Sequence, residues 1–202
     1  MPNMTASITP FCASRLERLL RHVAFVLLTC FAVLVRADDG VIRSAEIVRG
    51  EGGYVLNADI DIELNSRLVD AVSRGVSLYF STELVIERPR WYWFNRVVVD
   101  RSLEYRLYYH AITRSYRLSI GNFHQSFDSL DAAVLTMRRV RNWQVADLST
   151  LEAGVSHQVA VRFRLDTSQL PKPFQVTAIG SRDWNLGTDW LRWTFLPGAP
   201  GF

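Results

Sequence analysis

The sequence predicts a mainly β protein: an antiparallel β-sandwich, Ig-like in general architecture, with two short helical insertions after an N-terminal signal peptide. Three observations predict this fold. Apolar and polar residues alternate strictly in residues 58–64, and large apolar residues occupy every second position in residues 159–166. Residues 103–120 contain two segments rich in Tyr, Leu and Ile on either side of a short turn. About nine such segments follow one another at the spacing typical of a sandwich or a barrel.

Residues 1–37 have the three parts of a secretory signal peptide in the required order. Three arginines lie between residues 15 and 21, and an apolar run follows from Val23 to Val35. This run is shorter than the ~18 to 20 residues that span a bilayer. Ala37 precedes the predicted cleavage site, and Asp38 would begin the exported protein. The sequence therefore predicts a periplasmic protein with no transmembrane span after cleavage.

Cleavage changes the chemistry that the composition allows. Both cysteines, Cys12 and Cys30, lie in the signal peptide, so the exported part has no disulfide, thiolate nucleophile or thiolate metal ligand. The net charge of +3 lies there as well, because residues 1–37 hold four arginines and one glutamate. The exported part is neutral, and we expect no nucleic-acid partner for it.

Residues 38–196 are predicted to form one sandwich domain, and residues 197–202 a flexible C-terminal tail. Apolar and acidic residues alternate in residues 58–64, which places three carboxylates on one face of a strand. Residues 103–112 and 116–120 are predicted to form a hairpin. Other predicted strands cover residues 41–48, 76–86, 91–99, 159–165, 174–179 and 190–196.

Two segments have helical spacing instead. Asn65 can cap the first helix, and Gly75 suits the position just after its end. Asp128 or Ser129 can cap the second. Its predicted last turn contains three arginines that would complement the helix dipole, namely Arg138, Arg139 and Arg141.

The best carboxylate cluster consists of Asp59, Asp61 and Glu63, spaced about 7 Å apart along one strand face. These residues are weak candidates for a cation site, or for the acid and base of glycoside hydrolysis. The alternative is the polar face of a half-exposed strand whose partners are arginines of neighbouring strands, such as Arg106, Arg162 and Arg164.

The sequence contains no recognised catalytic motif. His110, His124 and His157 have no ligand spacing, and neither a Gly-x-Ser-x-Gly elbow nor a Ser-x-x-Lys motif occurs. We therefore expect a protein that is not an enzyme, with no catalytic residues, no bound metal and no cofactor.

Aromatic residues are the clearest excess: six Trp, seven Tyr and, outside the signal peptide, eight Phe. The densest run is Trp91, Tyr92, Trp93 and Phe94. On a strand, either the two tryptophans or Tyr92 and Phe94 must point away from the core. The outward pair could contact a sugar, a protein partner or a membrane surface. Alternatively, the second predicted helix covers the outer face, so that both pairs are buried.

Pro171 and Pro173 are separated by one residue within residues 165–176. This spacing favours a stiff, extended segment that cannot pair in a sheet. The segment is either a presented recognition loop or a rigid crossover into the next strand.

Four segments carry a resemblance to a known family: residues 109–118, 127–131, 165–176 and 181–184. The most specific string is Asp-Thr-Ser-Gln-Leu-Pro-Lys-Pro-Phe-Gln-Val. Through these segments the chain resembles the bacterial secreted family catalogued as domain of unknown function 4390, over essentially the whole exported part. Members are also labelled proline-rich signal peptide proteins, although this chain has only seven prolines. The resemblance implies an envelope role near a membrane sensor-kinase system, because the family's genes often neighbour such systems. It implies no catalytic or binding residues.

The sequence thus predicts a periplasmic, non-catalytic binding or interaction module of the cell envelope, with an envelope protein as its partner. The aromatic excess and the lack of a catalytic motif favour this function. One alternative is an envelope glycan hydrolase that uses Asp59, Asp61 or Glu63. A second alternative is a protein that an uncleaved signal anchors in the membrane. The sequence predicts neither the ligand nor the oligomeric state.

Overall fold

The computed structural model describes residues 40–92 and 94–198, and their strands form two antiparallel sheets. The predicted signal peptide, Trp93 and residues 199–202 of the predicted tail lie outside the described residues. Within the described ranges, no helix has the length and apolar character needed to cross a membrane.

The strands of the described chain are β1 (Gly40–Arg49), β2 (Tyr54–Ile62), β3 (Leu78–Arg88), β4 (Arg96–His110), β5 (Ser115–Ile120), β6 (Phe123–Phe127), β7 (Arg139–Ala146), β8 (His157–Leu165) and β9 (Leu191–Phe195). The smaller sheet has the strand order β1-β2-β7, and the larger sheet has the order β6-β5-β4-β3-β8-β9.

Three helices connect these strands: α1 (Ser66–Ser73), α2 (Leu130–Met137) and α3 (Lys172–Ala178). Short 3₁₀ segments lie at Thr167–Gln169 and Arg182–Trp184. The predicted mainly β fold with two antiparallel sheets is confirmed, and α3 is a helix that was not predicted.

The alternating pattern of β2 determines which side chains reach the core. Every second residue from Tyr54 to Ile62 is buried, and the residues between them are half-exposed. β8 alternates in the same way along most of its length. The two sheets share one core, in which the ring of Tyr54 on β2 meets the ring of Phe195 on β9 at 5.6 Å.

Local signals determine where α1 begins and ends. The Asn65 side-chain oxygen accepts a hydrogen bond from the Leu68 backbone N–H at 3.0 Å, as expected of an N-cap residue. Gly75 follows the helix with φ +86°, a conformation that favours glycine. The prediction for this helix is confirmed.

The predicted length of the second helix is wrong. It ends at Met137, and Arg139 and Arg141 belong to β7, which pairs with β2. Asp59 lies opposite Arg139, and Ala58 lies opposite Val140. Residues 139–146 are a strand and not the end of a helix because they pair with this distant partner. Strand β6 is a further strand that was not predicted.

The predicted extended conformation of the proline segment and the predicted strand at residues 174–179 are wrong. Pro171 occupies the N-cap position of α3, and Pro173 lies in the first turn of the helix. Proline is tolerated there because the first backbone N–H groups of a helix have no partner within the helix. The Phe174 ring packs against the Trp184 ring at 5.8 Å, which holds the helix against the following 3₁₀ segment.

Candidate functional site

The aromatic run lies in the loop between β3 and β4, residues 89–95, which we call the aromatic loop. β3 ends at Arg88, and Pro89 follows it without a backbone N–H to continue the ladder. β4 starts only at Arg96. The prediction of a strand over residues 91–99 is therefore wrong: its second half is the beginning of β4, a long strand that runs on to His110.

The aromatic loop presents its rings to solvent. Trp91 is 93% exposed, Tyr92 is 66% exposed and Phe94 is 85% exposed. The Trp91 and Tyr92 rings meet edge to face, with centroids 4.9 Å apart and planes at 70°. Because these residues are not on a strand, the expected division into one inward and one outward pair does not apply. Trp93 lies outside the described residues.

The second predicted helix, α2, does not cover the aromatic run. Helix α2 packs against β5, β6 and β7 instead. Between Arg96 and Glu104, β4 pairs with β3, whereas its pairing with β5 begins at Tyr105. The β3–β4 hairpin therefore carries the aromatic loop beyond the end of β5.

Polar contacts hold the base of the aromatic loop. The Asn95 side-chain amide donates a hydrogen bond to Glu87 at 3.0 Å. Arg88 forms an ion pair with Glu152 at 2.6 Å, which ties the hairpin to the loop before β8. From Arg88 to Arg96 the chain contains three arginines and no carboxylate. The site is thus an exposed aromatic loop with an arginine on each side of the aromatic run, and with Glu87 and Glu152 in contact with its base.

The three predicted carboxylates do not form one site. Asp59 and Asp61 lie on the solvent face of β2, whereas Glu63 follows the strand and lines a separate cleft of about 500 Å³ beside α1 and α2. Asp59 lies in a shallow, polar cleft of about 600 Å³, together with Ser44, Glu46, Asn57, Arg141 and Asn142. The predicted grouping of all three side chains in one place is not present.

Arginines pair with both strand carboxylates. Arg43 contacts Asp61 at 2.6 Å, and Arg141 contacts Asp59. The hydrogen bond from Arg141 holds the pKa of Asp59 below its ordinary value, and the hydrogen bond from Arg43 does the same for the pKa of Asp61. A general acid needs a raised pKa, so these two carboxylates are suited to ion pairing.

The arginines expected as partners of Asp59 and Asp61 lie elsewhere. Arg162 and Arg164 are on β8 of the larger sheet, and both pair with Glu83, at 2.6 and 2.5 Å. The strand pattern was predicted, but the sequence does not reveal which sheet a strand joins. In the described ranges, no three His, Cys, Asp or Glu side chains come together as a possible metal site.

The structure also contains arginine–aromatic stacks that the sequence analysis did not find. The Arg162 guanidinium lies 4.5 Å from the centre of the Trp190 ring, and that of Arg106 lies 4.8 Å from the Tyr108 ring. Such contacts stabilise exposed side chains modestly. The Arg162–Trp190 stack joins residues distant in sequence, and only the paired strands bring them together.

Replacing Glu83 with glutamine is expected to lower the free energy of unfolding by about 1 kcal/mol at pH 7. Burial raises the pKa of Glu83, but hydrogen bonds from Arg164 and Arg162 outweigh it, so the net pKa lies below its ordinary value of 4.5. A lowered pKa in the folded state stabilises the fold above 4.5, and this contribution is lost as the pH falls below that value.

Urea unfolding of the wild type and of E83Q at several pH values measures this effect. The cost of E83Q should shrink as the pH falls below 4.5 and the wild-type carboxyl also takes up a proton at its lowered pKa. Glu51, exposed in the β1–β2 turn, provides the control variant E51Q, which should change little at any pH. A cost for E83Q that does not vary with pH would contradict the prediction.

Each of the three histidines has a local hydrogen bond. His157 is buried, and its Nδ1 donates to the Val155 carbonyl oxygen at 2.8 Å. His110 shares a hydrogen bond with Thr113, and His124 shares one with Ser119. These are contacts within or between neighbouring strands and turns, as expected for structural histidines.

Comparison with known proteins identifies a family for most of the chain. The family model described as "Domain of unknown function (DUF4390)" matches residues 37–194. No curated protein matches the sequence, and no solved structure matches it.

Proposed function

The chain belongs to the DUF4390 family, a domain of unknown function, so the family assigns no role to it. From the surface of the chain we propose that it is a non-catalytic binding module of the cell envelope. The module is exported and contacts another envelope component through the aromatic loop. The resemblance of the sequence to secreted bacterial proteins and the signal-peptide pattern of residues 1–37 support the envelope location.

One observation carries the proposal: three large aromatic side chains of one short loop are exposed together. Trp91, Tyr92 and Phe94 place their rings in water, where exposed apolar surface is unfavourable. Single exposed apolar residues are ordinary, but a contiguous aromatic group is typical of an interaction site. Trp and Tyr are also enriched among the residues that contribute most to binding.

The ion-paired carboxylates support binding over hydrolysis. An envelope glycan hydrolase would need one carboxyl with a raised pKa and a second one facing the same groove. Asp59 and Asp61 have lowered pKa values, and Glu63 lines a different cleft. The geometry of these three residues therefore gives the hydrolase alternative no support.

A membrane sensor kinase is the protein partner that the family resemblance suggests. Its periplasmic part would lie beside the membrane, where an exported module could reach it. The net charge of residues 38–202 is zero, so the contact depends on the charges and apolar surface of the loop itself and not on the charge of the whole domain.

The experiment places a photoreactive phenylalanine analogue at Tyr92 in the protein produced in its own cells. Irradiation should yield a specific adduct of the exported protein, because the Tyr92 side chain would lie at the contact surface. Adducts are identified as protein or lipid by mass spectrometry. Intact mass of the recovered protein also tests export, with Asp38 as the expected first residue.

The matched control carries the same analogue at Phe123. This residue is 82% exposed at the start of β6, outside the aromatic loop. Position 123 should give no comparable adduct. Equal yields at both positions, or none at position 92, would show that the aromatic loop is not a contact surface.

A further inference from the structure

We propose that the aromatic loop docks on the surface of an anionic lipid bilayer. The inference rests on the proposed function and specifies it further, because it names the component that the loop contacts. Three features of the described residues carry it: the chemistry of the rings, the position of the loop at the end of a hairpin, and the exposed cations beside the rings.

The rings of the loop suit a membrane interface. Trp and Tyr combine an apolar body with a polar N–H or O–H, and they concentrate at the level of lipid headgroups. Trp91 and Tyr92 lie side by side in the loop, with Phe94 two residues further along. Irregular backbone with unpaired polar groups cannot enter the hydrocarbon core, so the loop would enter only the interface.

The position of the loop allows a shallow insertion. The loop joins the ends of two paired strands, and at its base Arg88 of β3 lies opposite Arg96 of β4 in the backbone ladder. Val97 on the hairpin and Leu196 after β9 are also about half-exposed. Phe195 lies opposite His157, which begins β8 at this same end of the sheet, so Leu196 adds apolar surface near the base of the hairpin.

The arginines lie on both sides of the aromatic run, where they could contact anionic lipid headgroups. They precede and follow the run in the chain, at Arg88, Arg90 and Arg96. Arg88 forms an ion pair with Glu152, and Glu87 accepts a hydrogen bond from Asn95, so Arg90 and Arg96 are the exposed cations beside the rings. With the rings inserted, Arg90 and Arg96 would lie near the depth of the lipid phosphates. The charge of the two exposed arginines is thus complementary to that of an anionic bilayer.

The arginines make the expected binding dependent on lipid charge and on salt. Each basic residue near an anionic surface contributes roughly fivefold to binding. Ionic strength near the physiological value screens charges beyond about 8 Å, so added salt should weaken the attraction. Neutral vesicles should bind the protein weakly, through the rings alone.

The test uses the exported protein, purified with its N-terminus verified, and two kinds of vesicle. One kind contains phosphatidylglycerol mixed with phosphatidylcholine, and the other contains phosphatidylcholine alone. Sedimentation with vesicles gives the partition coefficient, and a blue shift of tryptophan fluorescence reports transfer of Trp side chains out of water. We expect clear partitioning onto the anionic vesicles.

The triple variant W91A/Y92A/F94A should lower partitioning at least about tenfold, because it removes the inserted apolar surface. The variant R90Q/R96Q should lower it by about tenfold or more and reduce its salt dependence. The control I112A/F123A removes two side chains that are 90% and 82% exposed, one in the turn after β4 and one at the start of β6, and it should leave partitioning unchanged. Thermal unfolding by circular dichroism should be the same for all variants, since every altered side chain is exposed.

Failure of this inference is distinguishable from failure of the proposed function. The inference is wrong if the protein does not bind anionic vesicles, or if W91A/Y92A/F94A partitions onto them like I112A/F123A. A protein adduct at position 92 would then show that the loop contacts a protein, and the binding-module proposal would stand. If that adduct is absent as well, both proposals are wrong.

Discussion

Replacing Phe163 with alanine is expected to lower the free energy of unfolding by about 3 to 5 kcal/mol. Phe163 lies on β8 and is fully buried between the two sheets. Its ring stacks on Phe80 at 5.5 Å and lies 5.9 Å from the Tyr105 ring, so truncation leaves a cavity at the centre of the core. Both neighbours come from other strands of the same sheet, β3 and β4, which limits how far the site can collapse.

Urea or guanidinium unfolding measures this difference. F123A is the matched control, because it removes the same side chain from an exposed position, and it should change stability by less than about 0.5 kcal/mol. If F163A cost no more than F123A, the core described here would be wrong.

Replacing Gly53 with alanine is expected to cost about 2 to 4 kcal/mol. A Cβ atom added at Gly53 would lie 2.2 Å from the carbonyl oxygen of Ala146. That oxygen belongs to the backbone of β7, where Ala146 pairs with Tyr54, so neither partner can move without disturbing the β2–β7 ladder. The substitution therefore forces the two strands apart at one end of the smaller sheet.

The adjacent glycine supplies the control. A Cβ atom added at Gly52 would have the Gln144 side chain as its nearest neighbour, at 3.7 Å, which is ordinary contact. G52A should therefore leave the unfolding midpoint almost unchanged, whereas G53A should lower it clearly. Equal midpoints for the two variants would contradict the pairing of β2 with β7.

The alternation in β2 and β8 could be predicted from sequence because one face of each strand packs into the core. Burial follows the predicted period in β2 from Tyr54 to Ile62, and Asp59 and Asp61 lie on the opposite face as expected. Helix α1 was predictable for a local reason, since Asn65 and Gly75 act within their own turn. Signals of this kind need no distant partner.

Predictions failed where a distant partner or a competing local geometry decided the structure. Residues 139–146 form β7 because β2 lies beside them, and the helix pattern ends two residues earlier, at Met137. Residues 174–179 alternate like a strand, yet Pro171 and Pro173 suit the start of α3. In the aromatic loop, side-chain composition favoured a strand, but Pro89 ends the β3 ladder and residues 89–95 have no strand partner in the described chain.

The candidate site was found in sequence as a run of aromatic residues, but its exposure was not predictable. A strand would have buried half of the rings, and a covering helix would have buried all of them. The hairpin instead carries them past the neighbouring strand, so that Trp91, Tyr92 and Phe94 all face solvent. The partners of Asp59 and Asp61 were equally beyond prediction, because they depend on which strands share a sheet.

The sequence by itself determined the family, the mainly β fold and the faces of the regular strands. These follow from local periodicity, from capping residues and from motifs that act over a few positions. The tertiary structure alone decided the pairing of β2 with β7, the ion pairs of the carboxylates and the exposure of the aromatic loop. The reason is physical: burial, pairing and pKa depend on neighbours that are close in space and distant along the chain.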